Sequence, residues 1–226
     1  MILITGASGG VGKYLYEYYT GLGEQVVGTY HQAGNFQNQQ GYHQLDLTHY
    51  DHVAAFVQQH VALWQNITLV NCAGITYSAF AHKAQAEQWH RVIDVNIKGT
   101  FNIIREVLPI MRSQKFGRII NFSSVVALKP TPGVSAYAAT KAALWGMARS
   151  IATENASLNV TINNINLGYS ELGMINTVPE QYMQNILAQI PMGRLCPGQD
   201  IISTVEYLRH TPYITGTSVD LNGGLQ

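Results

Sequence analysis

Short apolar runs alternate with longer stretches whose apolar positions recur every three to four residues, the pattern of a parallel sheet covered by helices. The runs predict strands at Ile2–Thr5, Gln25–Tyr30, Tyr42–Leu45, Thr68–Asn71, Arg118–Ser123, Val160–Asn166 and Ser218–Leu221. Arg118-Ile119-Ile120-Asn121-Phe122 lacks the alternation of a half-solvated strand and reads as a strand buried on both faces. Helical spacing covers Val11–Gly21, Tyr50–Leu63, Ala86–Arg112, Ala136–Glu154 and Gln199–Leu208. No repeat or linker divides the chain. The expected fold is therefore α/β, a doubly wound seven-stranded parallel sheet with helices on both faces, in one domain.

One interval breaks the alternation. Residues 31–41, between the second and third predicted strands, are rich in amides and glycine and make a poor helix. The crossover helix there is expected to be short or absent, leaving one sheet face thinly covered.

Composition narrows the class. A chain of 226 residues supports one sizeable core and not two ordinary domains. Hydrophobic residues make up 46% and charged ones 12%, which excludes a disordered chain. Thirteen basic residues balance thirteen acidic ones, so no concentrated positive field draws the protein to nucleic acid or to an anionic membrane. Cys72 and Cys196 are too few for a disulfide framework and suggest a reducing compartment. Met1-Ile2-Leu3-Ile4 runs straight into Thr5-Gly6 without the signature of a secretory leader, so a cytoplasmic protein is expected.

Two motifs carry chemistry. Thr5-Gly6-Ala7-Ser8-Gly9-Gly10-Val11-Gly12 stands between a strand and a helix. Glycines there let the backbone turn tightly and approach a pyrophosphate, and the helix N-terminus supplies free N–H donors. This predicts a dinucleotide site. The second motif is Tyr137-Ala138-Ala139-Thr140-Lys141, whose i, i+4 spacing puts phenol and amine on one helix face. An ammonium about 4 Å from the phenol, at an effective dielectric of ~20, favours phenolate by roughly 4 kcal/mol, about 3 pK units before desolvation opposes it. That would bring the phenol toward the range of general acid–base catalysis. A Tyr–Lys pair on an ordinary helix surface has the same spacing. The histidines His49, His52 and His60 read as a solvated helix face, and no metal site is expected because no further ligands converge on them. Tyr14, Tyr16, Tyr18 and Tyr19 read mostly as packing against the sheet, and Cys72 as a small buried residue.

Together with further motifs in order, the chain resembles the short-chain dehydrogenases/reductases over essentially its full length. The matches are the glycine turn, Asp46-Leu47, Asn71-Cys72-Ala73-Gly74, Asn96 within Asp94–Thr100, Ser123-Ser124, Tyr137 with Lys141, Ile214-Thr215-Gly216, and Asp220-Leu221-Asn222-Gly223-Gly224. The resemblance implies a Rossmann-type sheet, with residues 1–125 mainly binding cofactor and 126–226 forming the catalytic and substrate half. It implies Tyr137 as proton donor to a substrate carbonyl, or base in the reverse direction, with Lys141 lowering its pKa and holding the nicotinamide ribose. Ser124, rather than Ser123, would orient the carbonyl oxygen. Asn96 would interrupt its helix and hold a water that relays protons from Lys141. Cofactor contacts would come from Gly6, Ser8, Gly9, Gly10, Val11 and Gly12, from Tyr30 and His31, from Asp46 at the adenine and Leu47 beside it, from Asn71, Ala73 and Gly74 at the adenosine ribose, and from Gly168 and Ser170.

The sequence departs from the family at several of these places. Leu167 stands for a proline and Leu172 for a threonine that contacts the nicotinamide carboxamide, so Ser170 or backbone groups would have to substitute. Thr29-Tyr30-His31 ends the second strand without the carboxylate of NAD-preferring members, which favours NADP(H) over NAD(H). The usual basic residue of the glycine turn is missing, leaving Lys13 or His31 to compensate. The pattern looks most like 3-oxoacyl-(acyl-carrier-protein) reductases, implying a 3-oxoacyl thioester, possibly carrier-bound, as substrate. Lys115 matches one of the basic residues that dock a carrier near the active-site mouth, but Leu158 replaces a second. Residues 169–190, with Tyr169, Met174, Tyr182, Met183 and Ile186, would form a substrate lid. A homodimer or homotetramer is expected. The other readings are an NAD-dependent alcohol dehydrogenase and a non-catalytic nucleotide sensor on the same fold.

Overall fold

The computed structural model describes residues 1–32, 36, 39–173, 175 and 180–225, the side chain of Tyr182 excepted. Its elements run β1 (Ile2–Thr5), α1 (Gly10–Gly21), β2 (Val26–Tyr30), β3 (Tyr42–Gln44), α2 (Tyr50–Gln59), β4 (Thr68–Asn71), α3 (Ala86–Ile93), α4 (Thr100–Gln114), β5 (Gly117–Ser124), α5 (Ser135–Asn155), β6 (Val160–Leu167), α6 (Glu180–Gln189), α7 (Gly198–His210) and β7 (Ser218–Leu221). The strands form one seven-stranded sheet in the order β3-β2-β1-β4-β5-β6-β7, and every pairing is parallel.

Both faces are buried, as the unbroken apolar runs require. Successive strand residues point to opposite sides. Ile2, Ile4, Val70, Ile120 and Ile165 pack under α1 and α7, against Leu15, Tyr19, Ile201 and Val205. Leu3, Leu69, Ile119 and Ile162 face the other way, against Val53, Ile103, Val107 and Ala148 of α2, α4 and α5.

That second face carries a polar row where the strands near their carboxyl ends. Thr5, Asn71, Asn121, Asn164 and Ser218 are in register across β1, β4, β5, β6 and β7. Thr5 Oγ1 donates to Asn71 Oδ1 at 3.3 Å, Asn71 Nδ2 to Asn121 Oδ1 at 2.9 Å, Asn121 Nδ2 to Asn164 Oδ1 at 3.1 Å, and Asn164 Nδ2 to Ser218 Oγ at 3.1 Å. Buried amides are tolerable only when paired, because an orphaned one costs about 1–3 kcal/mol. Among the described residues no buried side-chain nitrogen or oxygen lacks a partner.

Between β2 and β3 the described residues form no helix. Aromatic rings do the covering instead. Phe36 lies 6.1 Å from Tyr30 and 5.0 Å from Tyr42, Tyr42 lies 4.0 Å from Tyr16, and the Tyr16 hydroxyl donates to the Gln40 carbonyl at 3.2 Å. Tyr16 and Tyr19 are buried in the sheet–helix core, and Tyr14 and Tyr18 pack at its edge. The rest of the 31–41 connection, Met174 and the Tyr182 side chain lie outside the described residues.

The predicted helix Ala86–Arg112 is divided. A π-helical turn, Asp94–Gly99, separates α3 from α4. The side chain of Asn96 draws this turn outward, accepting from Ile75 N and donating to Ile75 O, both at 2.9 Å.

The expected helix Tyr50–Leu63 also ends early, at Gln59, and continues as a 3-10 turn over Val61–Leu63. Here His60 is no solvated residue. Its Nδ1–H donates to the Phe56 carbonyl at 2.8 Å, and its ring packs on Phe56, Trp64 and His43. Burial, with His60 adding to it, lowers the His43 pKa below the ordinary histidine value. The unfolded chain then takes up a proton near the ordinary pKa before the folded one does, so stability is full above that value and falls as pH drops through the folded pKa. His43→Phe should reduce the loss of melting temperature between pH 7 and pH 5 by about 1–2 °C. Melting curves at the two pH values check this, and equal losses in parent and variant would refute it. Among the described residues no group of three or more histidine, cysteine or acidic side chains could hold a metal, and no helix is long and apolar enough to cross a membrane.

Candidate active site

A cavity of about 840 Å³ opens at the carboxyl ends of the strands, where ligands of open parallel sheets bind. Its floor is the turn after β1, with Gly6, Ser8, Gly9, Gly10 and Val11 at the wall. Gly6 has φ +68°, and a Cβ there would stand 2.7 Å from the Ala73 backbone. Gly12 lies beneath the wall, where a Cβ would come within 2.3 Å of the Gly6 carbonyl oxygen. Gly9, by contrast, faces open space. Helix α1 starts at Gly10 with no side-chain cap and no acidic residue in its first turn. Its first N–H groups and positive dipole end are thus left for an anion. A steric cradle with free donors at its centre fits a pyrophosphate.

Beside this floor, Thr29, Tyr30 and His31 come from the end of β2, and Asp46 and Leu47 follow β3. Asp46 is less free than the sequence suggests. Its Oδ1 accepts from Thr48 N at 2.9 Å and Thr48 Oγ1 at 2.7 Å, while Oδ2 lies 3.2 Å from His31 Nε2 and 3.7 Å from His49 Nε2. Burial pushes the Asp46 carboxyl upward, but the Thr48 hydrogen bonds, with His31 and His49, outweigh it and hold the group below its ordinary pKa. Lys13 is exposed on α1 and pairs with Glu17 at 3.7 Å. It is not among the residues lining the cavity, whereas His31, the other of the two candidates, is.

After β4, Cys72, Ala73, Gly74 and Ile75 line the wall. Asn71 does not; it belongs to the buried amide row below. Burial pushes the Cys72 thiol well above its ordinary range, which makes it an inert packing residue.

The opposite wall holds Ser124, Tyr137 and Lys141. Ser124 ends β5, and one helix face of α5 presents the other two. Lys141 is 6% exposed, and its ammonium donates to the Phe122 carbonyl at 2.6 Å. Burial, partly opposed by Cys72, lowers its pKa to about 8. The ammonium sits 5.4 Å from the centre of the Tyr137 ring.

The simple Coulomb expectation for Tyr137 is not met. Burial raises its pKa above the ordinary phenol value, and the opposing influence is a hydrogen bond with Ser124 rather than Lys141. Loss of water disfavours both charged forms, so phenol and ammonium shift in opposite directions, each toward neutrality.

Asn96 is 2% exposed and lies behind this wall. Besides its bonds to Ile75, its amide donates to Thr140 Oγ1 at 3.0 Å, and Thr140 Oγ1 donates to the Tyr137 carbonyl at 2.8 Å. The π-helical turn is thereby tied to the helix turn that presents Tyr137.

Past β6 the departures from the family pattern acquire a structural meaning. With Leu167 in place of proline, β6 keeps its ladder one residue beyond the predicted end, pairing Leu167 with Ser124 and Leu221. Gly168 follows where a Cβ would meet Asn222 Cα at 2.8 Å. Ser170 Oγ accepts from Leu172 N at 3.0 Å, and Leu172 packs against the core. Gly168, Tyr169, Ser170, Leu172 and Gly173 all line the cavity. Of the expected lid, the described part includes α6, whose Ile186 and Leu187 pack with Tyr169 beside Val125, Ile190 and Leu225.

Sequence reasoning missed Arg91, Asp94 and Val95, which also line the cavity. Their i, i+3, i+4 spacing was the available signal. One placement is corrected. Lys115 and Leu158 precede β5 and β6, at the amino ends of the strands, whereas the cavity lies at the carboxyl ends. The eight residues of β5 span roughly 25 Å, so neither position rims the mouth of its own chain's cavity.

The family model for short chain dehydrogenase matches residues 1–183. The chain is 35% identical to acetoacetyl-CoA reductase of Acinetobacter sp. (strain RA3849), over 99% of this chain and 96% of that one. It is 33% identical, with the same coverage, to 3-oxoacyl-(acyl-carrier-protein) reductase FabG of Thermotoga maritima. Its fold is similar to that of ElxO with NADP bound, at a TM-score of 0.90 and 24% identity over 99% of this chain and 97% of the other. Matched by that model over most of its length and by these relatives over nearly all of it, the chain belongs to the short chain dehydrogenase family of oxidoreductases.

Proposed function

We propose that this protein is a ketoreductase that uses NADPH to reduce the keto group of a 3-oxoacyl thioester to a hydroxyl. The observation that carries the reading is the grouping of Tyr137, Ser124 and Lys141 on one wall of a cavity whose floor is a glycine cradle. The names of the relatives, reductases of acetoacetyl-CoA and of 3-oxoacyl carrier protein, support the substrate class. A bound nicotinamide nucleotide supplies the hydride. Gly6, Ser8, Gly9, Gly10, Val11 and the start of α1 would hold its pyrophosphate, with Ala73 and Gly74 at the adenosine ribose.

The chain's own part is orientation and proton transfer. Ser124 and Tyr137 hold the substrate oxygen between two hydroxyls. Burial keeps Tyr137 protonated at neutral pH, the state a proton donor to a developing alkoxide requires. Lys141, charged below about pH 8, holds the nicotinamide ribose and favours the tyrosinate left after proton transfer. Asn96 has its amide committed to Ile75 and Thr140, so a relay water would rest on its main-chain carbonyl, which also accepts from Thr100 Oγ1 at 2.9 Å. Ser170 replaces the family threonine at the nicotinamide end.

NADPH is favoured because β2 ends without a carboxylate that would repel a 2′-phosphate, and His31, at the end of that strand, offers ring nitrogens to it. The Asp46 carboxylate 3.2 Å from His31 supports a second reading, an NAD-dependent alcohol dehydrogenase. A symmetric dimer or tetramer would cover Phe101, 45% exposed on α4. A cytoplasmic setting suits the two free thiols.

The test is nucleotide consumption across a panel of 3-oxoacyl thioesters, on coenzyme A and on carrier protein, and of small ketones. We expect the thioesters to exceed the ketones at least about tenfold in kcat/KM, and NADPH to exceed NADH. Preference for small alcohols with NAD would replace this reading by the second one.

A further inference from the structure

Trp145 stands one helical turn beyond Lys141 on α5 and serves no role in the reading above. Its indole N–H is shared between two acceptors, Asn166 Oδ1 at 2.9 Å and Ser123 Oγ at 3.2 Å. The chain of bonds continues on both sides. Ser123 Oγ donates to the main-chain carbonyl of Lys141 at 2.8 Å. Asn166 Nδ2 donates to Asp220 Oδ1 at 2.6 Å. Ser123, Asn166 and Asp220 are register partners on β5, β6 and β7. Two residues earlier the same strands carry Asn121, Asn164 and Ser218, so this is a second polar row on the same face.

The second row differs from the first in what it reaches. Asn164 reaches α5 by a long hydrogen bond, its Nδ2 donating to the Leu144 carbonyl at 3.4 Å. The second row grips the helix twice within one turn, at the Trp145 indole and at the Lys141 carbonyl. The same lysine is also held from its other end, by the ammonium on Phe122 O of β5. The neighbouring strand residues Phe122 and Ser123 thus fix the tip and the root of one side chain. An indole can donate but not accept, so the order of donors along the row has one solution. Ser123, accepting from Trp145, must turn its own hydrogen to Lys141.

We propose that Trp145 is a positioning residue: through Ser123 and Asn166 it sets the depth at which the α5 turn bearing Tyr137 and Lys141 sits against β5. The inference rests on the catalytic reading of those two residues. Without the indole hydrogen, Ser123 is free to rotate, the root of Lys141 loosens, and the ammonium gains water. A displacement of about 1 Å at a catalytic group is enough to cost one to two orders of magnitude in rate.

Trp145→Phe tests this, since it keeps a ring in place and removes the donor. In protein labelled with 13C at lysine side chains, the Lys141 titration of the variant is expected to move upward, toward that of an ordinary lysine. The other ionisable groups near that ammonium are Tyr137 on its own helix and Cys72 after β4, and neither is altered. We expect kcat to fall about tenfold with KM for NADPH and substrate within about twofold. A folded Trp145→Phe protein whose Lys141 titration is unmoved overturns the proposal, whatever its activity. Should Trp145→Phe fail to fold, Ser123→Ala breaks the same row at its link to Lys141 and is read in the same way. Tyr137→Phe, measured in parallel, separates the two ideas. A fully active Tyr137→Phe enzyme removes the catalytic reading, while the Lys141 titration still decides the placement of α5.

Discussion

Replacing Tyr137 with phenylalanine is expected to lower turnover of a 3-oxoacyl thioester by roughly two to four orders of magnitude. The ring and its packing stay; only the hydroxyl is lost. With it go the proton for the developing alkoxide and the hydrogen-bond partner of Ser124. The nucleotide cradle is built from other elements, the β1–α1 turn and the segment after β4. NADPH affinity should therefore stay within about twofold, because the phenol acts mainly when charge develops in the transition state. Single-turnover kinetics and a fluorescence titration of NADPH measure the two quantities separately. A variant that keeps the parental rate would exclude Tyr137 from the chemistry.

Lys141→Met should separate activity from stability. The rate should fall by about two orders of magnitude or more, since the variant can neither hold a ribose hydroxyl nor favour tyrosinate. Stability should respond with a definite sign. Lys141 titrates at about 8 when folded against 10.5 in its ordinary state. Between those values the unfolded chain binds the proton that the folded one has released. The parent therefore gains stability as pH rises from 8 to 10.5 and carries the full cost of a buried ammonium below 8. Methionine carries none of this linkage. On lowering pH from 10.5 to 7, the stability difference should move in favour of Lys141→Met by about 3 kcal/mol. Denaturant unfolding at the two pH values reads this, and parallel profiles would show that the lysine is not desolvated as the structure has it. That pair of outcomes, a residue costly to the fold and needed for the rate, would mark a working site.

Much of the architecture was open to local reading. All seven strands were found within about one residue, and the central ones, such as β5, show themselves as apolar runs buried on both faces. Two features anticipated from the resemblance or from composition, the helix interruption at Asn96 and the missing helix after β2, both involve distant groups. Helix Ala86–Arg112 is divided because Ile75 and Thr140 claim the side chain of Asn96. Among the described residues between β2 and β3 there is no helix, and Tyr16 of α1, Tyr30 of β2, Phe36 and Tyr42 of β3 cluster there instead. Tyr137 and Lys141 were placed on one face by spacing alone, yet the direction of each pKa shift was not readable. A Coulomb estimate needs a separation and a dielectric, and both are properties of the folded cavity.

The sequence by itself therefore determined what depends on near neighbours: strand and helix identity, the glycine turn, and the pairing of phenol with amine one turn apart. Tertiary structure alone decided that Asp46 is engaged by His31 and that a tryptophan grips the root of the lysine. Hydrogen-bond partners and desolvation are set by residues that meet only when the sheet has formed, and no local pattern encodes which ones will.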